Sequence, residues 1–214
     1  MSIAAKICGL SHEAAVTAAV EGGAAYVGFV FYPPSPRAVS AERAAALCAA
    51  VPSGIWRVGL FVDADDDAIR RVLDAAPLDM LQFHGAEPPD RVIEAKRRFQ
   101  RPVMKAVAIA APEDAIAAER YHEAADMLLF DAKPPRRVDA LPGGNGLAFD
   151  WQLIAGRDWR LPWMLSGGLT AALLPEAVRV SGATTVDVSS GVERRPGDKD
   201  PAKIREFLAV AAAL

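Results

Sequence analysis

The sequence predicts a single (β/α)8 barrel domain over residues 1–214, eight parallel strands ringed by helices. Three observations lead there. Eight short apolar, β-favouring runs recur about 22–36 residues apart along the chain. They are continuously apolar rather than strictly alternating, as parallel strands buried on both faces are. Helix-period segments separate them, and strand-then-helix repetition implies a parallel sheet. Eight such units in 214 residues fit a barrel at the short end of its size range. An open doubly wound sheet would usually carry a Gly-rich nucleotide or phosphate turn after its first strand, and here that turn reads Cys8-Gly9-Leu10-Ser11.

The strand runs, in order, are Ile3–Cys8, Tyr26–Phe31, Ile55–Val62, Met80–Phe83, Val103–Val107, Met127–Phe130, Trp163–Leu165 and Thr185–Val188. Several intervening helices show their starts. Asp65-Asp66-Asp67 puts acids where the helix dipole favours them, ahead of the one-faced Ile69, Val72 and Leu73. Pro88-Pro89-Asp90 precedes Val92, Ile93 and Phe99, and Asp200-Pro201 supplies a cap and a first-position proline before Ile204, Phe207 and Leu208. His12 and His122 read as helix-surface residues. The stretch Ala132–Phe149 is the longest irregular segment, and long loops inside a compact domain are often lids.

Composition narrows the function classes. Lys and Arg number 24 against 27 Asp and Glu, a net charge of −3, which offers no basic footprint for nucleic acid. No uncharged stretch reaches the ~18 residues of a membrane span. The opening Met1-Ser2-Ile3-Ala4-Ala5-Lys6 lacks the layout of a signal peptide, so a cytoplasmic location is expected. Cys8 and Cys48 have no metal-ligand spacing, and no His, Cys or carboxylate pair does either, so no metal is expected.

In a barrel of this kind the chemistry sits at the C-terminal strand ends. Reading each run to its end gives Cys8, Arg37, Asp63, His84, Asp131, Ser166, Asp187 and Ser189. Residues two apart on a strand share a face, so Lys6 and Cys8 point the same way, and an ammonium beside a thiol favours the thiolate. Cys8 reads either as a general base or as a small buried hydrophobe. Asp131, at the mouth of an apolar strand, reads as a desolvated general acid, or as a helix cap or partner of Lys133 or Lys105. His84 reads as a base, a ligand or a hydrogen-bond anchor.

An anion signal lies near the C-terminus. Ser166-Gly167-Gly168-Leu169-Thr170 ends the seventh run and opens a helix, and Asp187-Val188-Ser189-Ser190-Gly191-Val192 ends the eighth. Glycines let backbone N–H groups approach a ligand, and the loops after strands 7 and 8 are the usual phosphate grip of these barrels. Gly143-Gly144-Asn145-Gly146, in the long loop, either closes over that phosphate or is simply flexible.

Taken together, Lys6-Ile7-Cys8-Gly9-Leu10, Gly28–Pro33 with Ser35-Pro36-Arg37, Gln82-Phe83-His84-Gly85, Phe130–Lys133, Gly143–Gly146 with Phe149-Asp150-Trp151, Ser166–Leu169 and Val186–Glu193 resemble the phosphoribosylanthranilate isomerase family. The matches run in register over nearly the whole chain. The resemblance implies an Amadori rearrangement in tryptophan biosynthesis, with no metal or organic cofactor and a small phosphosugar as partner. It implies Asp131 as general acid and Cys8 as general base. Arg37 would hold the anthranilate carboxylate, Asp187 the anthranilate nitrogen, and His84 would contact substrate. Gly146, Gly167, Gly168, Ser189, Ser190 and Gly191 would grip the phosphate. The expected assembly is a monomer or homodimer.

This chain departs from the family pattern at Ala14-Ala15, where an acidic residue is common, at Asp63, where asparagine is common, and at Phe83, where leucine is common. Competing readings are a related phosphosugar barrel enzyme and a catalytically inactive phosphate-binding barrel serving a partner. A dual isomerase would have an aspartate base on strand 1 and an internal half-barrel repeat, and neither is found here. An inactive barrel would be expected to have lost Cys8, Asp131 or Arg37, and all three are present.

Overall fold

The computed structural model describes residues 3–133 and 142–214. Eight parallel strands, β1 (Ala4–Cys8), β2 (Tyr26–Val30), β3 (Trp56–Phe61), β4 (Met80–Phe83), β5 (Val103–Ile109), β6 (Met127–Ala132), β7 (Trp163–Leu165) and β8 (Thr185–Val188), pair in sequence order. β1 pairs with β8, which closes the ring and sets Lys6 opposite Asp187. Helices α1 (Glu13–Glu21), α2 (Ala41–Cys48), α3 (Asp66–Ala75), α4 (Pro89–Phe99), α5 (Pro112–Ala118), α6 (Leu174–Ser181) and α7 (Pro201–Ala213) cover the outside.

The helix starts follow their local chemistry. Asp65 caps α3 by accepting the Ala68 N–H at 2.7 Å, and Asp200 caps α7 by accepting that of Ala202 at 2.9 Å. His12, expected on a helix surface, instead caps α1, its Nδ1 accepting the Ala15 N–H at 3.3 Å. Among the described residues, one barrel strand is not followed by an α-helix. Among the described residues, the connection from β6 to β7 contains only a 3-10 turn at Trp151–Leu153. Pro142, Gly143, Gly144 and Gly146 explain this locally, since proline lacks the N–H and glycine the restriction that a helix interior needs. A small antiparallel hairpin, β9 (Glu193–Arg195) and β10 (Asp198–Lys199), also stands between β8 and α7.

Strand parity sorts the side chains into two cores. Val58, Met80, Met104, Ala106, Met127, Leu129 and Met164 pack inside the barrel. Their neighbours along the strands, such as Phe61, Leu81, Phe83, Leu128 and Phe130, pack outward against Ile69, Val92, Leu174 and Ile204 of the helices. The same two-residue step carries the inner face upward: Met80 leads to Gln82 and His84, and Met127 and Leu129 lead to Asp131. The apolar filling thus ends in a polar layer at the C-terminal mouth.

Candidate active site

The mouth of the barrel holds a cavity lined by Cys8, Arg37, His84, Asp131, Gly146, Gly167, Gly168, Asp187, Ser189 and Ser190, together with Tyr32, Gln82 and Ser166. Residues from β1, β4, β6, β7 and β8 and from the loop after β2 therefore converge, as the strand-end reading expected. Two expected members stand elsewhere. Asp63 has a left-handed backbone, φ 48°, and turns its carboxylate away to accept the Ala86 N–H at 2.7 Å. That conformation is one that asparagine and aspartate tolerate best. Gly191 lies behind the cavity wall against the Leu169 carbonyl, in space no side chain could share. Phe83 points outward into the helix-side core, so its departure from the family pattern does not touch the rim.

Cys8 is seated by its neighbour. Gly28 is its register partner on β2, and a Cβ there would lie 2.9 Å from the Cys8 Sγ and 3.3 Å from the Lys6 Cε. Only a glycine leaves room for thiol and lysine stem side by side. Lys6 does share a face with Cys8, and its thiolate-favouring effect is present but outweighed. Burial pushes the Cys8 thiol up from its ordinary value, and the pull of the Lys6 ammonium does not overcome it. Asp187, across the barrel seam, adds to the effect of burial: Lys6 Nζ donates to its Oδ1 at 2.8 Å, and its negative charge also disfavours the thiolate. Burial would lower the Lys6 pKa, but Asp187 and Cys8 together outweigh it and hold it above its ordinary value. Ser166 Oγ donates to the second oxygen, Oδ2, at 3.0 Å. Replacing Lys6 with methionine should therefore raise the Cys8 thiol further, by about one pH unit or more, because Asp187 then faces the sulfur unpaired. Thiolate absorbance followed against pH in the free protein checks this, and an unchanged titration would exclude Lys6 from the electrostatics of the sulfur.

Asp131 is buried, and neither lysine considered as its partner takes it. Lys133 pairs with Asp114 at 3.2 Å, and Lys105 pairs with Glu87 at 3.0 Å. Its Oδ1 accepts the Ala132 N–H at 2.8 Å, while Oδ2 lies 3.2 Å from His84 Nε2. His84 Nδ1 in turn lies 3.0 Å from the Gln82 amide nitrogen. His84 is thus a hydrogen-bond anchor of the acid. Gly143 lies over this pair so closely that a Cβ would sit 2.6 Å from His84 Nε2 and 2.8 Å from Asp131 Oδ2. The Gly144 carbonyl accepts from Arg37 Nη2 at 3.1 Å, and Gly168 packs against the backbone of Leu147 and Ala148. This part of the long loop lies across the mouth; its segment 134–141 falls outside the described residues.

Arg37 is only 5% exposed, and its guanidinium is already gripped by Glu193, with Nε to Oε1 at 2.8 Å and Nη2 to Oε2 at 2.9 Å. Glu193 Oε1 also accepts from Lys199 Nζ at 2.7 Å, and Lys199 donates to the carbonyl and the hydroxyl of Ser189 at 3.0 and 3.1 Å. Burial lowers the Lys199 pKa despite Glu193 beside it. Burial would raise that of Glu193, but the Arg37 and Lys199 bonds together hold it down. Buried ion pairs contribute little net stability against apolar replacements. What this one does is geometric: it joins the side chain at the β2 loop to the turn after β8. The sequence reading missed Lys199 because a lysine after Pro196-Gly197 looks like hairpin surface. Its burial depends on the hairpin folding back under β8.

Among the described residues, no three His, Cys, Asp or Glu side chains gather as metal ligands, and no helix is long and apolar enough to cross a membrane. A closed parallel barrel with a buried thiol, a buried carboxyl and two glycine turns at one mouth defines a (β/α)8 protein with a polar cavity at its C-terminal rim. A family model for N-(5'phosphoribosyl)anthranilate (PRA) isomerase matches residues 5–210. Over its full 214 residues the chain is 58% identical to N-(5'-phosphoribosyl)anthranilate isomerase of Rhodospirillum centenum, covering 100% of both. It is 56% identical to that of Paracoccus denitrificans, over 100% of this chain and 99% of the other. Among solved structures, phosphoribosyl anthranilate isomerase from Thermotoga maritima superposes with a TM-score of 0.88 at 36% identity, over 99% of this chain and 100% of that one. A complex of phosphoribosyl anthranilate isomerase with reduced 1-(o-carboxyphenylamino)-1-deoxyribulose 5-phosphate does so at 0.84 and 35%, with the same coverage. The chain belongs to the N-(5'-phosphoribosyl)anthranilate isomerase family.

Proposed function

We propose that the protein converts N-(5-phosphoribosyl)anthranilate to 1-(2-carboxyphenylamino)-1-deoxyribulose 5-phosphate in tryptophan biosynthesis, with Asp131 as acid and Cys8 as base. The observation that carries this reading is that the two groups line one cavity from β6 and β1, beside the glycine turns that end β7 and β8. Asp131 gives its proton to the ribose ring oxygen. The C1′–O bond breaks as the nitrogen lone pair forms C1′=N, leaving a protonated Schiff base. The Cys8 thiolate removes the C2′ proton, and the freed electron pair forms C1′=C2′ while nitrogen regains its own. The enolamine then tautomerises to the ketone by losing the hydroxyl proton and gaining one at C1′. Only protons move, so the chemistry calls for no redox cofactor or metal.

Binding divides among the remaining residues. Arg37, oriented by Glu193, offers guanidinium N–H groups to the anthranilate carboxylate, a planar match that lysine lacks. Asp187 faces the anthranilate nitrogen, and His84 contacts the substrate beside the acid. Backbone N–H groups of Gly146, Gly167, Gly168, Ser189 and Ser190 hold the phosphate, with Gly191 packed behind them against the Leu169 carbonyl. The Ser189 hydroxyl, engaged by Lys199, serves by shaping that turn. All these groups come from one chain, so the site is complete in a monomer or in each half of a homodimer. The small phosphosugar is the expected partner, and the cytoplasm, where such substrates are made, the expected location. The test is a fluorescence assay following consumption of freshly made N-(5-phosphoribosyl)anthranilate. The expected result is rapid, enzyme-dependent loss of the substrate; a rate equal to the protein-free control would overturn the reading.

A further inference from the structure

We propose that Gln82 is a positioning residue that governs whether Asp131 holds its proton, acting through the ring of His84. The inference rests on the acid role given to Asp131 above and concerns a side chain not included in that mechanism. Gln82 is fully buried on the inner face of β4, two residues below His84. Its amide nitrogen lies 3.0 Å from His84 Nδ1, and His84 Nε2 lies 3.2 Å from Asp131 Oδ2. The three side chains form one line from the barrel interior to the reacting carboxyl.

A neutral imidazole has one N–H and one lone pair, so fixing one nitrogen fixes the other. With the Gln82 N–H donating to Nδ1, the ring proton sits on Nε2 and is donated to Asp131, which then accepts as a carboxylate. With the amide turned over, the Gln82 carbonyl accepts from Nδ1–H. Nε2 then presents a lone pair, and Asp131 must supply the proton. The second arrangement holds exactly one proton more than the first. That proton enters as the imidazolium, whose Nδ1–H the carbonyl accepts, and passes from Nε2 to Oδ2.

The amide is free to serve both states because neither orientation satisfies it. In the structure its Oε1 is buried with no hydrogen-bond partner. Turned over, the NH2 group would occupy that same unpartnered place. A glutamine locked for structural reasons would be bonded at both ends. The charged and titratable groups around the line are otherwise engaged or lie across the cavity. Lys105 from β5 pairs with Glu87, Lys6 from β1 with Asp187 from β8, Arg37 with Glu193, and Lys133 beyond β6 with Asp114. Asp63 at the end of β3 turns to Ala86. Cys8 and Tyr32 share the cavity. The hydrogen bond that fixes the Nδ1 side of the ring is therefore that of Gln82.

The test compares Gln82→Glu and Gln82→Met with the wild type. A carboxylate can only accept from Nδ1–H, so Gln82→Glu should stabilise the proton-bearing pair. It should move the alkaline limb of kcat/KM upward by about one pH unit. The His84 ring nitrogens, followed by 15N NMR, should shift toward the Nδ1–H or doubly protonated form. Gln82→Met should leave the ring a mixture of tautomers. Inorganic phosphate binding, followed in all three proteins, reports that the site remains folded. Unmoved pH limbs together with unchanged His84 nitrogen shifts in both variants would overturn the inference. If neither variant folds, the wild-type nitrogens decide: a ring that keeps one tautomer throughout the alkaline limb overturns it, and a change of tautomer along that limb supports it. A wild type with no isomerase activity would sink the functional reading instead, so the two failures are distinguishable.

Discussion

Asp131→Asn is expected to lower kcat by about 10²–10⁴-fold, the usual worth of a positioned proton donor. The amide has nearly the same shape as the carboxyl and can still meet His84 and the Ala132 N–H. It cannot deliver a proton to the ribose ring oxygen, so ring opening would fall back on water. Because the lost interaction acts in the transition state, KM should change little while kcat and kcat/KM fall together. Steady-state kinetics on fresh substrate decide the point. A raised KM with undiminished kcat would make Asp131 a binding residue and remove it from the chemistry.

Cys8→Ala should fall at least as far, since among the described residues no other side chain in the cavity can stand in for the sulfur without rearrangement. Lys6 is tied to Asp187, and Asp187 also accepts from Ser166. Loss of one buried sulfur at a 4% exposed position should cost about 1 kcal/mol, a fall in Tm of about 2–4 °C in a chain of this size. The protein would remain folded, and the loss of turnover would be chemical. Since burial raises the thiol, the reactive thiolate grows in as pH rises, and wild-type kcat/KM should climb through the folded thiol pKa on its acid side. Turnover close to wild type in Cys8→Ala, or a profile with no such rise, would eliminate the base.

Much of the site was legible along the chain for reasons that can be named residue by residue. The two-residue period of a strand put Cys8 beside Lys6 and carried the inner face of β6 up to Asp131. The glycines after β7 and β8 marked backbone that must approach something closely, and Gly167 and Gly168 do line the cavity. Other features had no local signal. Asp63 looked like a rim acid but takes a left-handed turn and caps the next loop. Gly191 looked like part of an anion cradle but is pressed behind its wall. Lys199, in a short hairpin, gave no pattern that would mark it as buried.

What the sequence determined by itself was the barrel, the order of its strands and which side chains face inward, because backbone geometry sets those within a few residues. Which charge answers which was decided only when β1 met β8. That closure set Lys6 against Asp187, 181 residues away, and Asp187 adds to the burial that raises the thiol. It was likewise the folded hairpin that brought Glu193 and Lys199 under Arg37 and Ser189, and the ring that aligned Gln82, His84 and Asp131 across β4 and β6. Electrostatics acts through space, and a residue's partners in space are fixed by the closure of the whole cylinder rather than by its neighbours in the chain.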